Sequence, residues 1–309
     1  MGLHMPNSRH PVLLSGSFDT GEHAKWLQAL EAALPEVQWL DPQQARGQAR
    51  SVSAAVVANP APGSLQGLPA LKLVQSLWAG VERLLTDSTL PPAVPIARMV
   101  DPAMTAAMAQ TALWAVLSLH RGFFDYADHQ RGCRWQPHAQ RRADEVPVLV
   151  LGQGEMGRAV AAAVAAQGYP VQGWQRNGTA LRGLLQQAAI VINLLPLTAS
   201  TRGLLDADFF NALPSQACVV NLARGAHLVD QDLLAALDRG HLQRAVLDVF
   251  NTEPLPADHP YWRHPRVTVL PHAAAMTDER SAAAVVARNL RALWAGQPLQ
   301  HLVDRARGY

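Results

Sequence analysis

The sequence contains only two cysteines, Cys133 and Cys218, and no C-x-x-C pair. That argues against a disulfide framework and against a cysteine-built zinc site. Lysine is almost missing as well. Lys25 and Lys72 stand against 24 arginines, a bias we read as genome composition, so an arginine here carries weight only through its surroundings. Charged residues make up 16% of the chain, below the roughly 25% of an average protein. Net charge is +2, and no basic run exceeds the pair Arg141-Arg142. No nucleic-acid partner is expected from such a surface. The longest apolar stretches, such as Ile190 to Leu195, fall far short of the ~20 residues that span a bilayer. Met1 to His10 contains no apolar signal core. Together these absences predict an unexported, cytoplasmic protein with no membrane partner. The histidines His138, His227, His259 and His264 show no metal-ligand spacing, and no metal is expected.

What is present is a core. Of 309 residues, 49% are hydrophobic, enough for two domains with sizeable interiors. Short apolar runs alternate with helical patterns along the whole chain, which predicts parallel sheets covered on both faces. Strands are expected at Pro11–Leu14, Val52–Ala58 and Leu71–Leu77, with a helix over Gly21–Leu34 stopped by Pro35. Asp101-Pro102 opens a dense Ala/Met/Leu helix over Ala103–His120, and a looser polar segment follows from Gln130 to Glu145. The rhythm then restarts. Strands are expected at Val148–Leu151, Val171–Trp174, Ile190–Leu194, Cys218–Leu222, Ala245–Asp248 and Val267–Leu270. Helices are expected over Arg158–Gln167 and Asp278–Trp294. One α/β unit therefore runs to about residue 102, and another from there to about 275.

Gly152-Gln153-Gly154-Glu155-Met156-Gly157 fits G-x-G-x-x-G in the right context, after a strand, opening a helix, with another strand inside about 30 residues. The first glycine permits the tight turn and the second lets backbone approach a pyrophosphate. The third lets helix and strand pack, and the helix N-terminus offers amides to the phosphates. At the end of the next strand, Gly173-Trp174-Gln175-Arg176-Asn177 carries no acid to accept from ribose hydroxyls. Arg176, beside Gln175, can instead bind a 2′-phosphate through a charged fork. The expected cofactor is NADP(H), with NADPH preferred.

Three later strands each deliver one polar residue. Arg224 follows Val219-Val220-Asn221-Leu222-Ala223, Glu253 follows Leu247-Asp248-Val249-Phe250, and His272 follows Val267 to Pro271. Ligands of open α/β sheets bind at the carboxyl ends of strands, so the three can share one crevice. Their chemistry is complementary. Reduction of a 2-keto acid needs a cation for the carboxylate or carbonyl oxygen (Arg224) and a proton donor. Imidazoles titrate near neutrality, which suits His272, and Glu253 can orient it.

The motifs Asn221-Leu222-Ala223-Arg224-Gly225, Asp248 through Pro256, and His264-Pro265-Arg266-Val267 through Pro271-His272 resemble the D-isomer-specific 2-hydroxyacid dehydrogenases over nearly the whole chain. Trp135-Gln136-Pro137, Ile192-Asn193-Leu194-Leu195-Pro196 and Val303-Asp304-Arg305-Ala306-Arg307-Gly308-Tyr309 are most similar to the glyoxylate/hydroxypyruvate reductase A branch. The resemblance implies an α/β architecture of two Rossmann-like, doubly wound parallel domains with a cleft between them. It implies a flavodoxin-like substrate domain, residues 1–102 plus 280–309, and an inserted NADP domain, residues 103–279, through which two copies form a homodimer. It implies that Arg224 binds substrate, Glu253 supports the histidine and His272 is the acid/base. Leu195, Pro196, Thr198, Leu222, Ala223, Arg224, Asp248 and His272 would border the cofactor. Trp78, Ala79, Gly80 and Val81 would form the loop whose amides hold the substrate carboxylate, Gly80 allowing close approach. Many relatives carry a small residue where Trp78 stands and a larger aromatic where Ala58 stands, so pocket size is open. Met104 and Met108 are either core or substrate contacts. The expected activity is NADPH-dependent reduction of glyoxylate and hydroxypyruvate. Reduction of bulkier acids such as phenylpyruvate, or non-catalytic NADP(H) sensing by a protein-binding module, are the alternatives.

Overall fold

A computed structural model describes residues 9–176 and 180–309. Asn177, the last residue of the stretch that carries Arg176, lies outside the described residues, as does most of the Met1–His10 segment. The chain forms two compact units, residues 1–103 with 277–309, and residues 104–276.

The first unit holds strands β1 (His10–Gly16), β2 (Val37–Leu40), β3 (Ala54–Ala58), β4 (Leu73–Ser76) and β5 (Ile96–Ala97). The helices among them are α1 (Thr20–Ala33), α2 (Pro42–Gly47) and α3 (Glu82–Thr86). The strands form one parallel sheet in the order β2-β1-β3-β4-β5. Every residue of β3 and β4 is buried, as a parallel sheet covered on both faces requires. Asp19 caps α1 by accepting from the Glu22 amide, and the helix turns Trp26 and Leu30 inward.

The second unit begins with α4 (Pro102–His120) and α5 (Phe123–Arg131). It continues through β6 (Val148–Leu151), α6 (Glu155–Ala165), β7 (Val171–Trp174), α7 (Leu181–Leu185) and β8 (Ile190–Asn193). It ends with α8 (Ala207–Ala212), β9 (Ala217–Asn221), α9 (Asp230–Asp238), β10 (Leu242–Leu247) and β11 (Val267–Val269). The six strands are parallel, in the order β11-β10-β9-β8-β6-β7. The chain leaves β6 for β7 on one side and then crosses back to β8 on the other, so β6 and β8 flank the topological switch point. By length and composition α4 can cross a membrane. Its apolar face instead packs Met108, Ala112, Ala115, Val116 and Leu119 into the core with Val148, Val150, Val160 and Ile192.

The last helix, α10 (Glu279–Trp294), belongs to the first unit. It is capped by Asp278 and packs against α1 and β4. Buried Asn289 donates to Gln75 Oε1 at 2.7 Å, and Arg291 reaches Glu36 at 2.7 Å and the Ala33 carbonyl at 2.9 Å. The segment after α10 seals the sheet edge, with Leu302 bridging antiparallel to Ala97.

Several boundaries differ from the sequence expectation. The helix expected over Arg158–Gln167 starts three residues earlier, at Glu155, because Gly154 is its N-cap. The short strands β2 and β5 and the polar helix α5 lie outside that expectation altogether.

Candidate active site at the strand ends

The glycine turn between β6 and α6 has little room for side chains at its ends. Gly152 has φ +97°, and a Cβ there would stand 2.6 Å from the Leu194 carbonyl oxygen. A Cβ on Gly157 would overlap the Gly152 carbonyl, which is the close helix–strand packing the third glycine provides. At Gly154, by contrast, a Cβ would meet nothing within 4 Å beyond the neighbouring residues, and the amides at the start of an 11-residue helix begin there. A turn of this shape fits a dinucleotide pyrophosphate. Glu155 pairs with Arg158 at 2.7 Å on the exposed face, and Met156 packs partly against the core. The Gln153 amide turns back on its own turn and donates to the Val150 and Gly152 carbonyls. At the end of β7, Trp174 is buried while Gln175 and Arg176 are exposed.

The parallel register brings the other candidates to the same edge of the sheet. Beyond β8, Leu195 is buried and Pro196 to Thr198 lead into a turn in which the Thr201 amide donates to the Thr198 carbonyl at 3.1 Å. Thr201 fixes that turn, accepting from the Thr198 amide at 2.8 Å and donating to the Pro196 carbonyl at 2.8 Å. Beyond β9, Leu222 and Ala223 are buried. The Arg224 backbone is extended, its carbonyl accepts from Asn221 Nδ2 at 3.1 Å, and its guanidinium donates to the Ala223 carbonyl at 2.7 Å.

Beyond β10 and β11 lies the tightest arrangement. His272 Nδ1 meets Glu253 Oε2 at 2.7 Å. The other Glu253 oxygen accepts from the Phe250 amide at 2.9 Å. The carboxylate is thus held at both ends, and the imidazole it orients keeps Nε2 for other chemistry. His272 has φ +53°, a left-handed conformation costing an L-residue roughly 1–2 kcal/mol. Asp248 offsets that cost. Its carboxylate accepts from the Ala273 amide at 2.7 Å and from the Ala274 amide at 3.1 Å. Its carbonyl accepts from the His272 amide at 2.9 Å. The sequence points to Asp248 as a neighbour of the cofactor and does not reveal this fastening of the His272 backbone, which depends on contacts about 25 residues away.

In the first unit, the loop after β4 is held from within. Ser76 Oγ accepts from the Trp78 amide at 3.0 Å and donates to the Trp78 carbonyl at 2.9 Å. The Trp78 ring stands edge-on to buried Trp26, with centroids 5.9 Å apart. Ala79 and Gly80 are half-buried, and Val81 is buried ahead of α3. The Trp78 amide is thus committed to Ser76. Ala58 is buried at the end of β3, and Met104 and Met108 are both buried, Met108 within the core of the second unit. No cluster of three or more metal-ligating side chains occurs among the described residues.

Comparison with known proteins gives consistent results. Residues 113–274 match the family model described as D-isomer specific 2-hydroxyacid dehydrogenase, NAD binding domain. The glyoxylate/hydroxypyruvate reductase A of Klebsiella pneumoniae (strain 342) is 38% identical over 301 residues, 92% of this chain and 96% of that protein. A D-isomer specific 2-hydroxyacid dehydrogenase from Xanthobacter autotrophicus Py2, solved with NADPH and MES, superposes with a TM-score of 0.91. It is 36% identical and covers 97% of this chain and 100% of its own. An NADPH-dependent glyoxylate/hydroxypyruvate reductase from Sinorhizobium meliloti, solved with NADP and sulfate, gives a TM-score of 0.89 at 32% identity, covering 97% and 100%.

Proposed function

The chain belongs to the D-isomer specific 2-hydroxyacid dehydrogenase family, an oxidoreductase family, and on that premise we propose that it reduces small 2-keto acids with NADPH. Glyoxylate and hydroxypyruvate, yielding glycolate and D-glycerate, are the substrates. The observation that carries this reading is the 2.7 Å contact between His272 Nδ1 and Glu253. With Nδ1 bonded to the carboxylate, the proton that can leave toward a substrate is the one on Nε2. Arg224 pairs with the substrate carboxylate and draws electron density toward the carbonyl oxygen. The nicotinamide, when bound, supplies a hydride to the carbonyl carbon. His272 then delivers its Nε2 proton to the carbonyl oxygen, and the Glu253 carboxylate compensates the imidazolium before the transfer.

The glycine turn and the α6 amides hold the pyrophosphate, and Leu195, Pro196, Thr198, Leu222 and Ala223 line the cofactor. Exposed Arg176 takes the 2′-phosphate, which supports NADPH over NADH, as do the NADPH and NADP found in the Xanthobacter and Sinorhizobium structures. The exposed aromatic side chains Trp114, Phe123 and Trp135 of the second unit support a homodimer formed through that unit. Two free cysteines suit the reducing cytoplasm.

The test is initial-rate oxidation of NADPH and NADH with glyoxylate, hydroxypyruvate, pyruvate and phenylpyruvate. Turnover of the two small acids with NADPH favoured is the expected result. Turnover of phenylpyruvate alone would keep the mechanism and change the substrate. Tight NADPH binding with no turnover of any acid would overturn the enzymatic reading in favour of a sensing module.

A further inference from the structure

Three polar side chains, at the ends of β8 and β9 and in the 3-10 turn that follows β9, are wholly enclosed: Asn193, Asn221 and His227 are each 0% exposed. Such a group is tolerated in a core only when its hydrogen bonds are made, and here the pattern of bonds is self-consistent. Asn193 Oδ1 accepts from the Leu195 amide at 3.2 Å, which fixes the orientation of the Asn193 amide. Its Nδ2 therefore donates, to Asn221 Oδ1 at 3.0 Å and to His227 Nδ1 at 3.1 Å. An amide nitrogen cannot accept, so His227 Nδ1 carries no proton. The ring proton sits on Nε2 and donates to the Pro196 carbonyl at 3.2 Å. Asn221 completes the chain, accepting from the Ala223 amide at 3.2 Å and donating to the Arg224 carbonyl at 3.1 Å.

One imidazole thus connects two segments that the proposed reaction uses for different purposes. Through Nε2 it shares the Pro196 carbonyl with Thr201 Oγ1, in the segment that lines the cofactor in the proposed reaction. Through Nδ1, Asn193 and Asn221 it holds the backbone of Ala223 and Arg224, which carries the substrate cation. Nothing in the reaction asks His227 to exchange a proton. We propose that His227, held as the neutral Nε2–H tautomer, is a positioning residue that sets the Leu195–Thr198 turn and the Arg224 backbone in register. This rests on the reading of the chain as a keto-acid reductase.

Two conservative variants divide the network. In His227→Asn the side-chain oxygen overlays Nδ1, keeping the Asn193 bond and leaving the Pro196 carbonyl to Thr201 alone. In His227→Gln the side-chain nitrogen overlays Nε2, keeping Pro196 and releasing Asn193. Loss of one buried hydrogen bond corresponds to about tenfold in an equilibrium. His227→Asn is expected to weaken NADPH binding by about tenfold in a fluorescence titration, with little change in KM for the keto acid at saturating NADPH. His227→Gln is expected to keep NADPH affinity and to raise the keto-acid KM by about tenfold. Variants that melt earlier but leave both constants at wild-type values would overturn the proposal. So would two variants that shift both constants alike. Should either fail to fold, the imidazole ¹⁵N shifts of the intact wild-type protein decide: an unprotonated Nδ1 with a protonated Nε2 is required, and any other state of His227 overturns it. A wild-type protein with no turnover would instead count against the reductase reading, and the NADPH titration and the tautomer would still test the turn half of the network.

Discussion

At the residue scale, His272 is set by its backbone as much as by its partner. Its left-handed φ and the Asp248 bonds to the next two amides hold the ring against Glu253 without help from substrate. Replacing the ring should therefore remove proton transfer and leave the surroundings intact. His272→Asn, a side chain that also tolerates the left-handed region, is expected to lower kcat by ~10²–10⁴-fold with NADPH affinity unchanged, as read by steady-state kinetics beside a binding titration. Arg176 tests the cofactor assignment separately. Loss of a charge-assisted bond to phosphate amounts to about 1.5–3 kcal/mol. Arg176→Ala is then expected to raise KM for NADPH by roughly 10–100-fold while KM for NADH stays put.

At the scale of elements, α10 is fastened to the first unit by polar contacts that the sequence does not display. The Arg291 guanidinium beside Glu36 holds that carboxyl below the usual carboxylate range. A depressed folded pKa means that the pair contributes stability above the ordinary carboxyl pKa and loses it as pH falls through the lower folded value. The pair is partly exposed, so the contribution is at most about 1 kcal/mol. Glu36→Gln should melt slightly below wild type at pH 7, and the difference should shrink in melts taken progressively below the ordinary carboxyl range. The elements themselves differ in how plainly they can be read. The fully buried strand β6 is an unbroken apolar run, β8 and β9 are apolar up to a closing asparagine, and the Gly152–Gly157 turn sits where the β6 run stops, so sequence order alone locates the candidate cofactor turn. β2 is four residues interrupted by Gln38. α5 buries no residue, so it has no apolar stripe to find. Arg224, Glu253 and His272 are legible because each follows an apolar strand. The fastening by Asp248 and the network around His227 are not, since both depend on which strands become neighbours.

At the scale of the whole molecule, the second unit is one continuous stretch of chain, whereas the first is assembled from residues 1–103 and 277–309. A polypeptide ending after Met276 would keep every strand of the six-stranded sheet and lose α10, which covers α1 and β4. Such a truncation is expected to yield a protease-resistant fragment spanning roughly the second unit, with the first 103 residues digested, by limited proteolysis and mass spectrometry. Digestion of both halves at the same rate would show that the second unit does not stand alone.

The same discontinuity governs how the protein is made. Translation proceeds at about 5–20 residues per second. The five strands of the first sheet leave the ribosome early, but α10, which packs on β4 and α1, is among the last segments made, roughly 10–40 seconds later at that pace. Through that interval the inserted unit can close while Gln75 and its neighbours on the face that meets Asn289 stay uncovered. The nascent first unit is therefore the natural client for a chaperone, and codon changes that slow synthesis between residues 104 and 276 would lengthen its exposure without altering a single side chain.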